Sequence, residues 1–369
     1  MESFMSFVPL CFNIFKLLTA TFKRHTLIFK QASGTSRGIL RTKDSYFILL
    51  KSSEKPGVVA VGECGLLRGL SVDDVPNYEE VLSKVCQDIN NFPYWLSEGL
   101  RAFPSIYFGL EMALLDLKTD ATKILFPSDF TKEEKPILIN GLIWMGEKQF
   151  MFDQIKSKLE EGWNCIKLKI GAIDFETEME LLKYIRSQFS KSDIELRVDA
   201  NGAFSPENAL EKLNRLAAMD LHSIEQPIQT KQWEIMAELC EKTPLPIALD
   251  EELIGVFDLA EKRKMMEIIK PQFLIFKPSF IGGFKGTQEW IDLCNEFKTP
   301  WWMTSALESN IGLNAIAQWT ATLDNALPQG LGTGQLYTNN LESPLAVEGG
   351  ELRYKNDGKW DLSLLGILM

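Results

Sequence analysis

The stretch Cys165-Ile-Lys-Leu-Lys-Ile-Gly171 decides how the rest of the chain is read. Lysine and apolar side chains alternate through it. Lys167 and Lys169 therefore share one face of a strand, while Ile166, Leu168 and Ile170 share the other. The apolar set needs helices to pack against, which leaves both lysines pointing to an inner side. Working outward, other short apolar runs also end on a charged residue. Asp199 lies in I-E-L-R-V-D-A-N-G, Glu225 follows L-H-S-I, Asp250 ends P-I-A-L-D and Lys277 ends F-L-I-F-K. The intervals starting from Lys169 are 30, 26, 25 and 27 residues, and a further 27 reach Thr304. A strand, a helix and two short loops occupy that length, so the spacing predicts successive βα units.

Strand signals near 137–143, 164–171, 194–201, 221–226, 246–250, 273–278, 300–305 and 328–335 give eight such units. Amphipathic stretches run between them: Met179, Leu182 and Ile185 share a face, and Ser205-Pro206 opens a helix over 206–219. The fold class expected is α/β, a (β/α)8-type TIM barrel. Ahead of it, residues 16–30 and 46–62 read as antiparallel strands flanking a loop at 31–44, with helices around Tyr78–Asn90 and Ile106–Asp116. The division expected is an α+β capping domain over 1–134, the barrel over 135–345, and a segment over 346–369 that returns to the capping domain through a hairpin.

The chain has 369 residues, of which 45% are hydrophobic, enough for large cores. Its net charge of −11 lacks the cationic surplus that nucleic acid or an anionic membrane requires. Six widely spaced cysteines without C-x-x-C suit a reduced, cytoplasmic protein. Two histidines are too few for a multi-histidine zinc centre and make a Ser-His-Asp triad hard to build, so a general base must be Lys, Asp or Glu. Phe4 to Phe15 is apolar but falls short of the about 20 residues a spanning helix needs. It reads as a leader to the first strand and not as a targeting segment.

Inward residues at the C-terminal ends of barrel strands are where such folds do chemistry. Asp199, Glu225 and Asp250 converge there from three consecutive strands. Three like charges so close repel unless a cation lies among them. All-oxygen ligands suit a hard divalent ion, Mg2+ first and Mn2+ as its substitute. Lys169 and Lys277 flank the acids from opposite sides. A lysine beside a metal and a second cation titrates nearer neutrality, from roughly 10.4 toward 7–8, where it can take a proton. Arg197, Asp199 and Asn201 share the inner face of their strand, and Lys167 and Asn201 are expected to face substrate. The chemistry implied is removal of a proton next to a carboxylate, with Mg2+ stabilising the dianionic enediolate. A Schiff-base aldolase using either lysine as nucleophile stays open, as does a binding protein that kept the fold.

K-L-K at 167–169, D-A-N at 199–201, E-Q-P at 225–227, D-E at 250–251 and K-P at 277–278, in this order and spacing, resemble the enolase superfamily, muconate-lactonizing subgroup. The resemblance spans the chain. It implies Asp199, Glu225 and Asp250 as metal ligands, Lys169 as the residue that abstracts the α-proton, and Lys277 as the cation opposite. It also implies that I-G-G at 281–283 and S-A-L-E-S-N at 305–310 line the substrate, so Gly283 and Ser305 join the expected site. Within the loop 31–44 the capping domain would touch substrate, with Arg37 and Arg41 as its charged residues. Dehydratases, N-acylamino-acid racemases and muconate cycloisomerases share these motifs; the substrate implied is a small-molecule carboxylate.

Overall fold

The computed structural model describes residues 17–35 and 38–367. The leader read at residues 1–15, like Arg37, lies outside the described residues. β1 (Leu18–Thr35), β2 (Gly38–Ser52) and β3 (Ala60–Cys64) form an antiparallel sheet in that order. The expected loop at 31–44 is mostly strand: β1 and β2 pair from Leu18 opposite Ser52 to Thr35 opposite Gly38, with one irregularity between Ile28 and Ser33. The polar, glycine-bearing composition that suggested a loop belongs instead to the solvent-facing end of a long hairpin. β2 alternates between two cores. Tyr46, Ile48 and Leu50 face one, with Leu82 and Val85 of α1 (Tyr78–Gln87), while Phe47 joins the barrel core.

After a single turn α2 (Phe92–Tyr94), α3 (Pro104–Lys118) is buried nearly all round. Ile106 and Leu110 pack toward the N-terminal sheet, and Phe108 and Met112 toward the barrel, as a helix without a polar face must. α3 crosses β3 so closely that a Cβ on Gly62 would lie 1.9 Å from the Gly109 carbonyl oxygen. Glycine at 62 is a packing requirement.

β4 (Ile137–Leu138) precedes the parallel sheet. That sheet runs β5 (Gly141–Ile143), β6 (Cys165–Lys169), β7 (Glu195–Asp199), β8 (Ser223–Glu225), β9 (Ile247–Leu249), β10 (Phe273–Phe276) and β11 (Trp301–Met303), each paired with the next. The connections are α4 (Lys148–Glu160), α5 (Phe175–Gln188), α6 (Pro206–Ala217), α7 (Trp233–Lys242), α8 (Leu259–Ile269), the pair α9 (Pro278–Ile281) and α10 (Gly283–Phe297), and α11 (Asn310–Ala321). The eighth strand signal, at 328–335, is reduced to bridges: Gln329 pairs with Ile139 and Gly330 with Thr304, which closes the cylinder. A 3-10 turn at Thr333–Leu336 follows where an eighth helix would stand. β12 (Leu345–Glu348) and β13 (Glu351–Tyr354) form the C-terminal hairpin, and β13 pairs with β4. The turn Ser363–Leu365 then lies against β1. Among the described residues no helix is long and apolar enough to cross a membrane.

Gly283 occupies a different place from the one expected. It opens α10 with φ +68°, and a Cβ there would lie 2.1 Å from Glu111 Oε2. The group that glycine lets approach is thus the α3 carboxylate and not a ligand. Glu111 accepts the Phe284 N–H at 2.7 Å at the start of α10 and so ties α3 to the barrel. Burial pushes its carboxyl up from the ordinary 4.5 to about 8, against the backbone bonds from Phe284 and Lys285. An acid raised on folding keeps a proton that the unfolded chain releases, so its contribution is full at low pH and is lost as pH rises through that range. Unfolding free energy is expected to fall by roughly 2–4 kcal/mol between about pH 5 and pH 8 from this group. Urea unfolding across that window should show the decline flattened in Glu111→Gln; an equally steep decline in the variant would remove Glu111 as its source.

Candidate active site

Strand register builds the site. Lys169 lies opposite Asp199, and Asp199 opposite Glu225, so the three form one row across β6, β7 and β8. Glu225 lies opposite Ala248, which places Asp250 two residues further along on the same face. Lys277 follows β10, four strands round from β6 in an eight-membered ring. The two lysines therefore stand on opposite sides of the acids, each beside the acid of a neighbouring strand. One layer below, Arg197 closes the floor: it donates to Glu195 and to the Pro328 carbonyl and lies 4.2 Å from the Trp302 ring centroid.

Asp199, Glu225 and Asp250 are each at most 2% exposed. Lys169 Nζ donates to Asp199 Oδ2 at 2.5 Å and to Asn201 Oδ1 at 3.0 Å. Lys167 donates to Glu225 at 2.6 Å and Asp199 at 3.3 Å, and Lys277 donates to Asp250. Burial works to raise Asp199, but Lys169 and Lys167 outweigh it and hold the carboxyl well below its usual range. Asp250 is likewise lowered against burial by Lys277. Glu225 goes the other way, pushed up by burial and by the charge of Asp199 beyond what Lys167 offsets. For Lys167 and Lys277, burial is outweighed by their acid neighbours, and both are raised.

The residues fit a divalent cation. Oxygens of Glu225, Asp250 and Glu251 lie within 4.8 Å of one another, and the buried Glu225 Oε1 finds no hydrogen-bond partner among the described residues. Glu251 joins Glu225 and Asp250 in this cluster, and Asp199 stands beside Glu225 in the same strand row. Asp199 Oδ2 is engaged by two lysines, whereas Glu251 begins the turn directly after Asp250 and is steadied by the Asn201 amide at 2.8 Å. The D-E pair at 250–251 already contained that signal. Asn201, at φ +45°, bridges Lys169 and Glu251, a backbone conformation asparagine tolerates better than most residues.

A cavity of about 290 Å³ opens over this row. Lys167, Lys169, Asn201, Lys277, Thr304 and Ser305 line it, together with Trp144, Phe280, Leu307 and Leu336. Ser305 reaches the cavity but donates its hydroxyl proton to Glu308 at 2.6 Å, so it offers no free donor. Arg41 does not line the cavity and is exposed; its neighbour Leu40 lines it, because alternation along β2 turns one inward and the other out. Leu67 and Leu70 add a second N-terminal contribution that the sequence reading missed. The glycine-flanked run G-L-L-R-G-L after β3 was its sole mark, and nothing in it separates cavity leucines from core leucines.

This arrangement, a ring of parallel strands with acids and two opposed lysines at one mouth, defines a class. Residues 151–358 match the family model described as Enolase C-terminal domain-like, and the chain belongs to that family, within the enolase superfamily. It is 48% identical over 367 residues to the o-succinylbenzoate synthase of Desulfotalea psychrophila, covering 90% of this chain and 98% of that one. The crystal structure of MenC from the same organism matches with a TM-score of 0.82 at 44% identity, over 91% of this chain and 99% of that one. A dipeptide epimerase from Enterococcus faecalis, solved with Mg and the dipeptide L-Leu-L-Tyr, shares the fold, with a TM-score of 0.79 at 18% identity over 92% and 97% of the two chains.

Proposed function

We infer that this chain is a hydro-lyase, an o-succinylbenzoate synthase. It converts 2-succinyl-6-hydroxy-2,4-cyclohexadiene-1-carboxylate to 2-succinylbenzoate in menaquinone biosynthesis. One observation carries the reading: two lysines from opposite sides of the ring line one cavity, each paired with a buried acid, in a chain 48% identical to a synthase of that name. The proposed metal ligands are Asp199, Glu225 and Asp250, the acids at the ends of adjacent strands, with Glu251 beside them. A divalent ion such as Mg2+ held by these carboxylates would supply positive charge to balance the charge that develops on the substrate carboxylate.

The remaining steps belong to the chain's own side chains. Lys169 Nζ, held by Asn201, takes the ring proton next to the carboxylate. The same nitrogen then returns that proton to the leaving hydroxyl on the adjacent carbon. One C–H and one C–O bond break, a ring double bond forms, water departs and the product is aromatic. Lys277, on the far side, offers its positive charge to the electron-rich ring. Trp144, Phe280, Leu307 and Leu336 exclude water from a cavity whose charges act more strongly for it. Five free, buried cysteines among the described residues support a reducing, cytoplasmic setting.

Mixing the chain with the cyclohexadiene substrate is expected to abolish the diene ultraviolet absorbance, and chelation of divalent ions should stop the loss. Persistence of the absorbance with Mg2+ present would overturn the assignment. Borohydride trapping of a covalent adduct with a carbonyl substrate would point to a Schiff-base enzyme instead.

A further inference from the structure

A second set of buried charges lies outside the reacting row. Lys43 of β2, Glu63 of β3 and Glu308 are at most 3% exposed. Glu63 accepts the Ser45 hydroxyl at 2.7 Å and the Ser309 N–H at 2.9 Å on one oxygen. Its other oxygen accepts the Ser309 hydroxyl at 2.5 Å and the Gly312 N–H at 2.9 Å. A carboxylate from the N-terminal sheet thereby satisfies the start of α11. Lys43 donates to Ser45 at 3.0 Å and feels both acids, which oppose the lowering that burial imposes on it. Glu308 spans two segments of the barrel mouth, accepting Ser279 at 2.5 Å on one oxygen and Ser305 at 2.6 Å on the other.

Between Ser305 and Glu308 the chain turns through Leu307 at φ +63°, a left-handed conformation costly for leucine. Such strain persists only where the surroundings over-determine it. Here Glu308 grips Ser305 from one side, and the Tyr337 hydroxyl donates to the Leu307 carbonyl at 2.7 Å from the other. Ser305, Ala306 and Leu307 all line the cavity, whereas Lys43, Glu63, Ser279 and Glu308 do not.

We propose that Glu308 is a positioning residue for the reaction: it locks the Ser305–Leu307 turn into the shape that forms one wall of the substrate cavity, and the adjoining Ser309 is tied to the N-terminal sheet through Glu63, Ser45 and Lys43. Affinity for substrate is therefore set partly from β2, while the lysines and acids that carry the proton stand on other strands. This rests on the function proposed above, because substrate affinity is the quantity read.

The test is steady-state kinetics of the full chain with Mg2+ and the cyclohexadiene substrate. Glu308→Gln keeps the shape but cannot accept both hydroxyls in the same way; KM is expected to rise roughly tenfold or more while kcat stays within about threefold. Lys43→Met, at a residue outside the cavity, should raise KM in the same direction. The double variant should fall short of the product of the two effects, as coupled residues do. Should either variant fail to fold, Ser279→Ala removes one donor to Glu308 and is expected to raise KM alone. A lower Tm with unchanged KM, a loss confined to kcat, or independent effects of Lys43 and Glu308 would each overturn the proposal. An inactive wild-type chain would instead overturn the function itself, and the two failures are told apart by that control.

Discussion

Lys169→Ala is expected to abolish turnover, with kcat lowered by roughly a thousandfold or more, and to leave Mg2+ binding intact. The reason is the position of Lys169 in the row. Its side-chain nitrogen lies against Asp199 and is steadied by Asn201. Lys167, the other cation beside Asp199, is committed to Glu225 at 2.6 Å and cannot swing into the same role. Alanine removes the proton carrier without removing a carboxylate, so a divalent ion keeps its donors. Losing a positive neighbour of Asp199 also leaves no electrostatic ground for weaker cation binding. Calorimetric titration with Mg2+ and the diene absorbance assay together check the outcome. A residual rate within tenfold of the native chain would take Lys169 out of the mechanism.

The second large effect is expected from Asp250→Asn, which should weaken Mg2+ by about a hundredfold and disable turnover. Substituting a partner of a metal ligand costs about 10–100-fold, and a ligand itself stands at the upper end or beyond. Asp250 has two duties that asparagine cannot meet. Its carboxylate belongs to the cluster with Glu225 and Glu251, and it pairs with Lys277, whose charged form it favours against burial. The amide leaves that lysine with less compensation. Titration of the variant with Mg2+, followed by calorimetry and by activity, separates the two duties: weak binding with activity restored at high Mg2+ indicates the ligand role alone. An unchanged dependence on Mg2+ would contradict the ligand assignment.

Much of the site was legible in the chain because strand periodicity is rigid. A two-residue repeat places Lys167 and Lys169 inward whatever surrounds them, and the near-constant interval between βα units brings Asp199, Glu225 and Asp250 to one end of the cylinder. The same logic failed where pairing, and not composition, decides. The loop expected at 31–44 was read from glycine, serine and arginine, yet backbone pairing with β1 extends β2 back to Gly38. Gly283 was placed beside the substrate by resemblance, and a glycine in a sequence does not show which group approaches it; α3 brings Glu111 there. Arg41 drew attention as a charge, whereas the face of β2 that meets the cavity carries Leu40.

By itself the amino-acid order determined the cylinder, the facing of its strands and the charged residues that gather at its mouth, since these follow from short-range periodicity. The folded molecule alone decided that Glu251 completes the close acid cluster while Asp199 turns to the lysines. It alone decided that Glu63 reaches from the first sheet to the turn before α11, and that Ser305 gives its proton to Glu308. Those choices depend on distances of a few ångströms between side chains, some of them, such as Glu63 and Ser309, far apart in the chain. Packing and charge compensation set such distances, and no local pattern encodes them.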